Sequence, residues 1–227
     1  MLQVMRDKGV DGIVFAPLGL NQDMVQELLR DGMPLIAVDR TLSGVNLPTV
    51  LVENRKGAED AVLHLVEQGY QRIALINSRK PITTYQEREV GYRQALQKAG
   101  RPLDERLVMR EGASLADGRE MALELLERSR PDAIFAASGS LALGALSALR
   151  ELHIRVPEDI GFAVFDDFDS FSIFSPTLTA VRQPAYELGQ TAATLLLESI
   201  LEEKNLSPTQ TILPVELMVR ESSRKRR

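Results

Sequence analysis

Short apolar segments alternate with amphipathic segments along most of the chain. The apolar segments are rich in Val, Ile and Ala and are nearly continuous, which is typical of parallel strands covered on both faces. They predict nine strands: Asp11–Ala16, Leu35–Asp39, Thr49–Glu53, Arg72–Asn77, Leu107–Arg110, Ala133–Ser138, Gly161–Phe165, Leu178–Arg182 and Ile212–Val219.

The amphipathic segments carry apolar residues at three- and four-residue spacing, which is typical of helices with one buried face. Several are followed by a glycine that can adopt the left-handed conformation of a helix end, as at Gly69 and Gly100. Helices that alternate with parallel strands predict an α/β, doubly wound fold. Six helices are predicted: Asn21–Arg30, Lys56–Gln68, Glu87–Ala99, Leu115–Arg128, Leu141–Leu152 and Tyr186–Glu203.

Composition excludes several classes of protein. The chain has 227 residues, of which 44% are hydrophobic, enough for one large domain or two lobes of roughly 100 residues each. No apolar run approaches the ~20 residues of a membrane helix, and the first residues are too polar for a signal peptide. With no cysteine and two histidines, neither a disulfide framework nor a cysteine- or histidine-rich metal centre is expected. The net charge of −5 gives no general electrostatic attraction for DNA or anionic lipid. Because neither a membrane helix nor a signal peptide is predicted, a cytoplasmic location is expected.

Polar residues stand at the ends of the predicted strands, where open α/β sheets bind their ligands. Because the carboxyl ends of parallel strands share one edge of a sheet, these side chains are expected to gather around a small polar molecule. The alternative is that polar loops simply begin where strands end. The residues are Asp39, Arg40, Glu53, Asn54, Asn77, Ser78, Ser138, Ser140, Asp166, Asp167 and Asp169.

Arg88 lies in the first turn of the predicted helix Glu87–Ala99, where the helix dipole disfavours a cation. A guanidinium at that position indicates an anionic or polyhydroxyl partner, because its planar fork binds carboxylates, phosphates or vicinal hydroxyls in a bidentate manner. A surface ion pair with a neighbouring glutamate is the alternative.

Three aspartates, Asp166, Asp167 and Asp169, follow one predicted strand. Clustered carboxylates could hold Mg²⁺ or accept hydrogen bonds from sugar hydroxyls. The sequence contains neither a Gly-x-x-x-x-Gly-Lys nor a Gly-x-Gly-x-x-Gly motif, so the hydrogen-bonding role is favoured. Ser138 lacks the surroundings of a catalytic nucleophile, and its structural alternative is a helix N-cap. No catalytic residue is therefore predicted.

Several segments, in the same order, resemble the effector-binding domain of LacI/GalR (lac-repressor-type) transcription regulators. The most specific are Phe165–Asp167 and Ser175–Pro184. The others are Val10–Pro17, Pro34–Arg40, His64–Ile76, Glu87–Tyr92, Leu141–Ala145 and Arg155–Gly161.

This resemblance implies two Rossmann-like lobes with parallel sheets, as in type I periplasmic-binding-protein-like folds. The first lobe would hold residues 1–70 and 184–208, and the second residues 71–183 and 209–227. Family members carry a helix-turn-helix, a hinge helix and an opening β-α-β unit ahead of the position of Met1. The first lobe is therefore expected to be incomplete, and operator DNA to be bound only through a helix-turn-helix outside this chain.

The resemblance also implies a function, the effector-binding and dimerisation part of a transcription regulator, most often a repressor, that controls DNA binding allosterically. Arg88 and Asp166 match the family's effector-binding arginine and aspartate. Asp39, Arg40 and Glu53 lie where first-lobe contacts are often made, and Ser138 lies where an asparagine or aspartate often contacts the ligand. The expected effector is a sugar, sugar acid or phosphosugar.

The resemblance implies a homodimer or tetramer, no cofactor, no bound metal and no enzymatic activity. The chain has Ser138-Gly139 where the family commonly has an acidic or Asn-Asp pair, which argues against an ordinary sugar. One alternative is a periplasmic-type solute receptor of a sugar transport system. Another is a Mg²⁺-dependent enzyme that uses Asp166, Asp167 and Asp169.

Overall fold

The computed structural model describes residues 2–17, 22–201 and 207–225. Its strands are β1 (Ile13–Phe15), β2 (Leu35–Val38), β3 (Thr49–Val52), β4 (Ile73–Ser78), β5 (Val108–Glu111), β6 (Ala133–Ala136), β7 (Gly161–Phe165), β8 (Thr179–Arg182), β9 (Gln210–Leu213) and β10 (Glu216–Met218). Its helices are α1 (Leu2–Asp7), α2 (Gln22–Arg30), α3 (Asn54–Glu67), α4 (Thr83–Lys98), α5 (Leu115–Arg128), α6 (Gly139–Glu151) and α7 (Ala185–Leu201).

The chain divides into two compact units. Unit 1 contains residues 1–53, 82–84 and 184–214, and unit 2 contains residues 54–81, 85–183 and 215–227. Unit 1 has a parallel sheet in the order β1-β2-β3-β9, and unit 2 has a sheet in the order β10-β8-β7-β6-β4-β5. All neighbouring strands of the second sheet are parallel except β10, which runs antiparallel to β8.

The central strand β4 explains why the apolar runs are continuous. Every residue of β4 is buried, because helices cover both faces of the sheet in unit 2. Ala74 and Ile76 face a core that includes residues of α5 and α6, whereas Ile73 and Leu75 face a core that includes residues of α3 and α4. The predicted α/β fold with parallel, doubly covered sheets is confirmed.

Helices α5 and α6 approach each other backbone to backbone. A Cβ atom at Gly144 would lie 2.0 Å from the Leu115 carbonyl oxygen, and one at Gly118 would lie 2.4 Å from the Leu141 carbonyl oxygen. Only glycine at these two positions permits so close a crossing, since any side chain would separate the helices.

The structure differs from the prediction in several elements. The C-terminal strand predicted at Ile212–Val219 is two strands, β9 in unit 1 and β10 in unit 2, with Pro214 between them. Helix α1 was not predicted. Helix α4 begins at Thr83, four residues before the predicted start. The last predicted helix is described as far as Leu201, and its predicted end at Glu203 lies outside the described residues.

The boundary between the units also differs from the predicted lobes. Residues 54–70, which the prediction gave to the first lobe, belong to unit 2, and residues 209–214 belong to unit 1. The physical reason is packing: Ala58, Val62 and Leu65 of α3 are buried in a core of unit 2, and β9 pairs with β3 in unit 1. Within the described residues, no helix is both long enough and apolar enough to span a membrane.

Candidate functional site

The carboxyl ends of β4, β6 and β7 lie side by side in unit 2. The register pairs Ile76 with Ala136 and Ala136 with Val164, so the residues just beyond the strands become neighbours at one edge of the sheet. This edge carries Asn77, Ser138 and Asp166, three of the polar residues predicted to gather there.

Arg88 is the best-buried cation near this edge, with 4% of its surface exposed. Its Nε donates to Asn54 Oδ1 at 2.9 Å and its Nη1 donates to the Ala137 carbonyl at 2.8 Å. The guanidinium carbon lies 3.7 Å from the centre of the Phe165 ring, within cation–π range. These contacts hold the guanidinium in a fixed orientation.

The prediction that Arg88 lies in the first turn of its helix is wrong, because α4 begins at Thr83. Arg88 therefore lies in the second turn, where the dipole at the helix N-terminus has little effect. The contacts of its guanidinium group explain its position. The distance from Arg88 Nη2 to Asp166 Oδ1 is 3.7 Å. The structure thus brings together the two residues that were predicted to bind the effector, and their role in binding stays a prediction.

The carboxylate of Asp166 is fixed on both sides. Its Oδ2 accepts a hydrogen bond from the Gly139 N–H at 3.2 Å, and its Oδ1 accepts one from Gln183 Nε2 at 2.5 Å. The Asp166 backbone has a φ of 81°, an uncommon conformation for a residue other than glycine that often occurs at functional sites. Asp166 is about one-fifth exposed, so a ligand can reach it.

Two buried polar atoms at this edge lack a hydrogen-bond partner among the described residues: Ser138 Oγ and Asn77 Oδ1. Ser138 occupies the N-cap position of α6, but its side chain makes no capping bond. A helix N-cap, the structural alternative for Ser138, therefore explains the position of this residue before α6 but not the orientation of its hydroxyl group. Because buried polar atoms are normally hydrogen-bonded, both atoms are candidates for contact with a ligand.

The other predicted site residues belong to unit 1. Asp39 follows β2 with a φ of 69°, so each unit has an aspartate in the left-handed conformation directly after a strand. Arg40 donates to Asp39 Oδ2 from Nε at 2.8 Å and from Nη2 at 2.5 Å. Glu53 follows β3, with an exposed side chain. The roles of Asp39, Arg40 and Glu53 in binding an effector stay predictions.

Asp167, the residue after Asp166, has partners of its own. Arg220 donates to both carboxylate oxygens of Asp167 at 2.8 Å, and Arg182 donates to Oδ2. Burial would raise the pKa of Asp167, but the hydrogen bonds from the two arginines outweigh it and lower that pKa. Among the described residues, no group of three acidic, histidine or cysteine side chains could hold a metal ion.

A large cavity of unit 2 lies apart from these residues. Its volume is about 740 Å³, and residues of α6 and of the segments before β7 and β8 line it. The lining is both apolar, as at Leu146 and Phe174, and charged, as at Arg150, Arg155 and Glu158. None of the predicted site residues lines this cavity.

An ion-pair cluster lies beside the candidate site, around Glu89 of α4. Arg110 donates to both oxygens of Glu89, at 2.6 and 2.7 Å, and Arg93 donates to Oε1 at 2.9 Å. The hydrogen bonds from Arg110 lower the pKa of Glu89 to about 2; burial opposes this effect and Arg93 adds to it. The cluster anchors α4, and with it Arg88, to the edge strand β5.

We expect the Glu89 cluster to make folding sensitive to acid. Because the folded-state pKa lies below the unfolded value of 4.5, the stabilisation is present above that value and is lost as the pH falls towards 2. Glu89→Gln should therefore lose about 2 kcal/mol less stability than wild type between pH 6 and pH 3, measured by urea unfolding. Glu124→Gln, which removes an exposed carboxylate paired with Arg128, should follow the wild-type profile; identical profiles for all three proteins would refute the expectation.

Sequence reasoning did not identify Gln183 as part of this site, and it named Asn54 among the polar residues at strand ends without giving it a role in binding. Both are polar residues next to a strand, Asn54 two positions after β3 and Gln183 directly after β8, which is the same signal that identified Asp39 and Asp166. Their contacts with Arg88 and Asp166 join residues far apart in the chain, and no local pattern encodes them.

Comparison with known proteins gives consistent matches over nearly the whole chain. A family model described as "Periplasmic binding protein-like domain" matches residues 62–223. The HTH-type transcriptional regulator RegA of Clostridium saccharobutylicum is 31% identical over 98% of this chain and 67% of its own length. This chain spans about two thirds of the length of the curated relatives that it matches.

Two solved structures have the same fold. The transcriptional regulator CelR in complex with cellobiose is 34% identical, with a TM-score of 0.89, and the match covers 97% of this chain and 68% of that one. A LacI family transcriptional regulator from Enterococcus faecium with bound ribose is 31% identical, also with a TM-score of 0.89, and the match covers 97% of this chain and 82% of that one.

Proposed function

We propose that this chain, which belongs to the LacI family of periplasmic-binding-protein-like transcription regulators, is the effector-sensing part of a regulator. The regulators of this family are most often repressors. A small sugar or sugar derivative would bind at Arg88 and Asp166 and change the affinity of the full-length protein for operator DNA. Such a change requires the effector to bind one state of the protein more tightly than the other.

One observation carries this proposal: a buried, oriented guanidinium and a fixed carboxylate lie 3.7 Å apart at the carboxyl edge of a parallel sheet. Arg88 presents N–H donors and Asp166 presents acceptors, the combination that binds vicinal hydroxyls. The Ser138 hydroxyl, for which the described part of the chain supplies no hydrogen-bond partner, adds a group that both donates and accepts.

The similar proteins support a sugar effector. One solved relative is described with cellobiose and another with ribose. The relatives are named as transcriptional regulators or repressors, which favours regulation over the alternative of a transport receptor. We propose no catalytic role and a cytoplasmic location, where operator DNA is found. The homodimer or tetramer implied by the family stays a prediction.

A thermal-shift panel tests the proposal. The chain is mixed separately with ribose, cellobiose, gluconate and ribose 5-phosphate at millimolar concentration, and glycerol at equal concentration serves as the control for general solute effects. A ligand at about 100 times its Kd stabilises the folded state by about 2.7 kcal/mol, so at least one compound should raise Tm by several degrees. If none raises Tm above the glycerol control, the proposal of a sugar-type effector fails.

A further inference from the structure

Three of the five residues at which the chain enters or leaves unit 2 are hydrogen-bonded to residues of the candidate site. Unit 2 begins at Asn54, resumes at Tyr85 and gives way to unit 1 after Gln183. Asn54 Oδ1 accepts from Arg88 Nε at 2.9 Å, and Gln183 Nε2 donates to Asp166 Oδ1 at 2.5 Å. The Tyr85 carbonyl accepts from Asn77 Nδ2 at 3.1 Å.

These hydrogen bonds are largely shielded from water. Asn54, Asn77 and Arg88 are 2%, 1% and 4% exposed, and the bond between Asp166 and Gln183 is half-buried. Hydrogen bonds in such surroundings are stronger than exposed ones, and those that involve a charged group are the strongest. The crossovers at residues 53–54 and 183–184 are therefore each held by a side-chain hydrogen bond to the site as well as by the backbone.

A ligand bound at Arg88 and Asp166 would contact the same atoms that hold the crossovers. A ligand hydroxyl that donates to Asp166 Oδ1 must share this oxygen with Gln183, and a ligand oxygen that draws Arg88 towards it acts on the bond to Asn54. An effector that prefers one arrangement of these bonds shifts the population of that arrangement by its difference in affinity.

We propose that Asn54 and Gln183 are positioning residues that couple occupancy of the Arg88–Asp166 site to the crossover segments at residues 53–54 and 183–184. The coupling to an effector rests on the proposed function, whereas the anchoring of the crossovers is a property of the ligand-free protein. The two parts can therefore fail separately.

Hydrogen–deuterium exchange on the ligand-free chain tests the anchoring. Gln183→Met preserves the size of the side chain and removes the donor, and Asn54→Leu likewise removes the acceptor. We expect about tenfold faster exchange in peptides that span residues 182–187 or 52–57, respectively, since each lost bond contributes about one factor of ten. The central strand β6 should exchange as in wild type.

Two controls define the result. Asn54→Asp retains an oxygen acceptor for Arg88 and should exchange as wild type does at residues 52–57. Gln190→Met changes an exposed glutamine of α7 and should leave both crossover peptides unchanged. Wild-type exchange in both Asn54→Leu and Gln183→Met would overturn the proposal; if Asn54→Leu does not fold, the result for Gln183→Met decides.

The same measurement with ribose or cellobiose tests the coupling. With the sugar that binds, the wild-type crossover peptides should change their exchange. Gln183→Met, compared at a sugar concentration that saturates the variant, should show less than half of the wild-type change at residues 182–187. An undiminished change in Gln183→Met overturns the coupling. Failure of both sugars to bind counts against the proposed function, and the ligand-free experiment still decides the anchoring.

Discussion

Gly144→Ala is expected to destabilise unit 2 by about 3 kcal/mol, which is a large effect for the addition of one methyl group. The new Cβ atom would lie 2.0 Å from the Leu115 carbonyl oxygen and 2.6 Å from the Arg119 backbone nitrogen. Both obstacles are backbone atoms of α5, so no side-chain rotation can relieve the overlap. Helices α5 and α6 would have to separate, which opens the core between them.

Urea unfolding followed by circular dichroism measures this effect, and Gly189→Ala is the matched control. Gly189 lies within α7, and a Cβ atom there would have no neighbour within 4 Å. Alanine is the better helix former at such a position, so Gly189→Ala should stabilise unit 1 by about 0.5–1 kcal/mol. A Gly144→Ala protein with stability within about 0.5 kcal/mol of wild type would contradict the close packing of α5 against α6.

Elements that are buried on both faces could be predicted from the sequence. Strand β4 is one example, because burial from two sides selects apolar residues at every position from Ile73 to Ile76. The start of α4 could not be predicted. Its first turn, from Thr83 to Gln86, has Tyr85 as its single apolar side chain and therefore shows no helical periodicity, so the prediction began at Glu87.

The C-terminal strands show a second limit of sequence patterns. The apolar run from Ile212 to Val219 predicts extended backbone correctly, but the structure gives β9 to one sheet and β10 to another. Periodicity reports whether a segment is extended or helical, and it carries no information on which strand is the partner. The predicted boundary of the first lobe differs from that of unit 1 for the same reason. The amphipathic pattern of α3 does not reveal which sheet the helix covers, and the prediction gave α3 to the first lobe.

The candidate site contains one residue that the sequence pattern identifies for the right reason and one that it does not. Asp166 could be identified because it directly follows a strand of a parallel sheet, where the geometry of the fold places ligands. Arg88 was selected for a reason that the structure corrects, since its orientation depends on Asn54 and the Ala137 carbonyl and not on the helix dipole. The proximity of Arg88 to Asp166 follows from the packing of α4 against the sheet, which no local pattern records.

The proposed function depends most on Arg88 and Asp166 binding the effector directly. We expect Arg88→Ala to bind the sugar found in the thermal-shift panel at least about 100-fold more weakly than wild type, because two charge-assisted hydrogen bonds contribute about 1.5–3 kcal/mol each. Asp166→Asn retains the shape of the side chain and should lose about tenfold. Arg88→Lys serves if Arg88→Ala does not fold, since lysine retains the charge but lacks the planar fork.

Isothermal titration calorimetry of these variants is the most direct test. Arg150→Ala is the matched control, because it removes an exposed arginine from α6 of the same unit and should leave the Kd unchanged. The account predicts a loss of at least about 100-fold for Arg88→Ala, with a circular dichroism spectrum like that of wild type. A folded Arg88→Ala protein that binds the sugar with the wild-type Kd would contradict it.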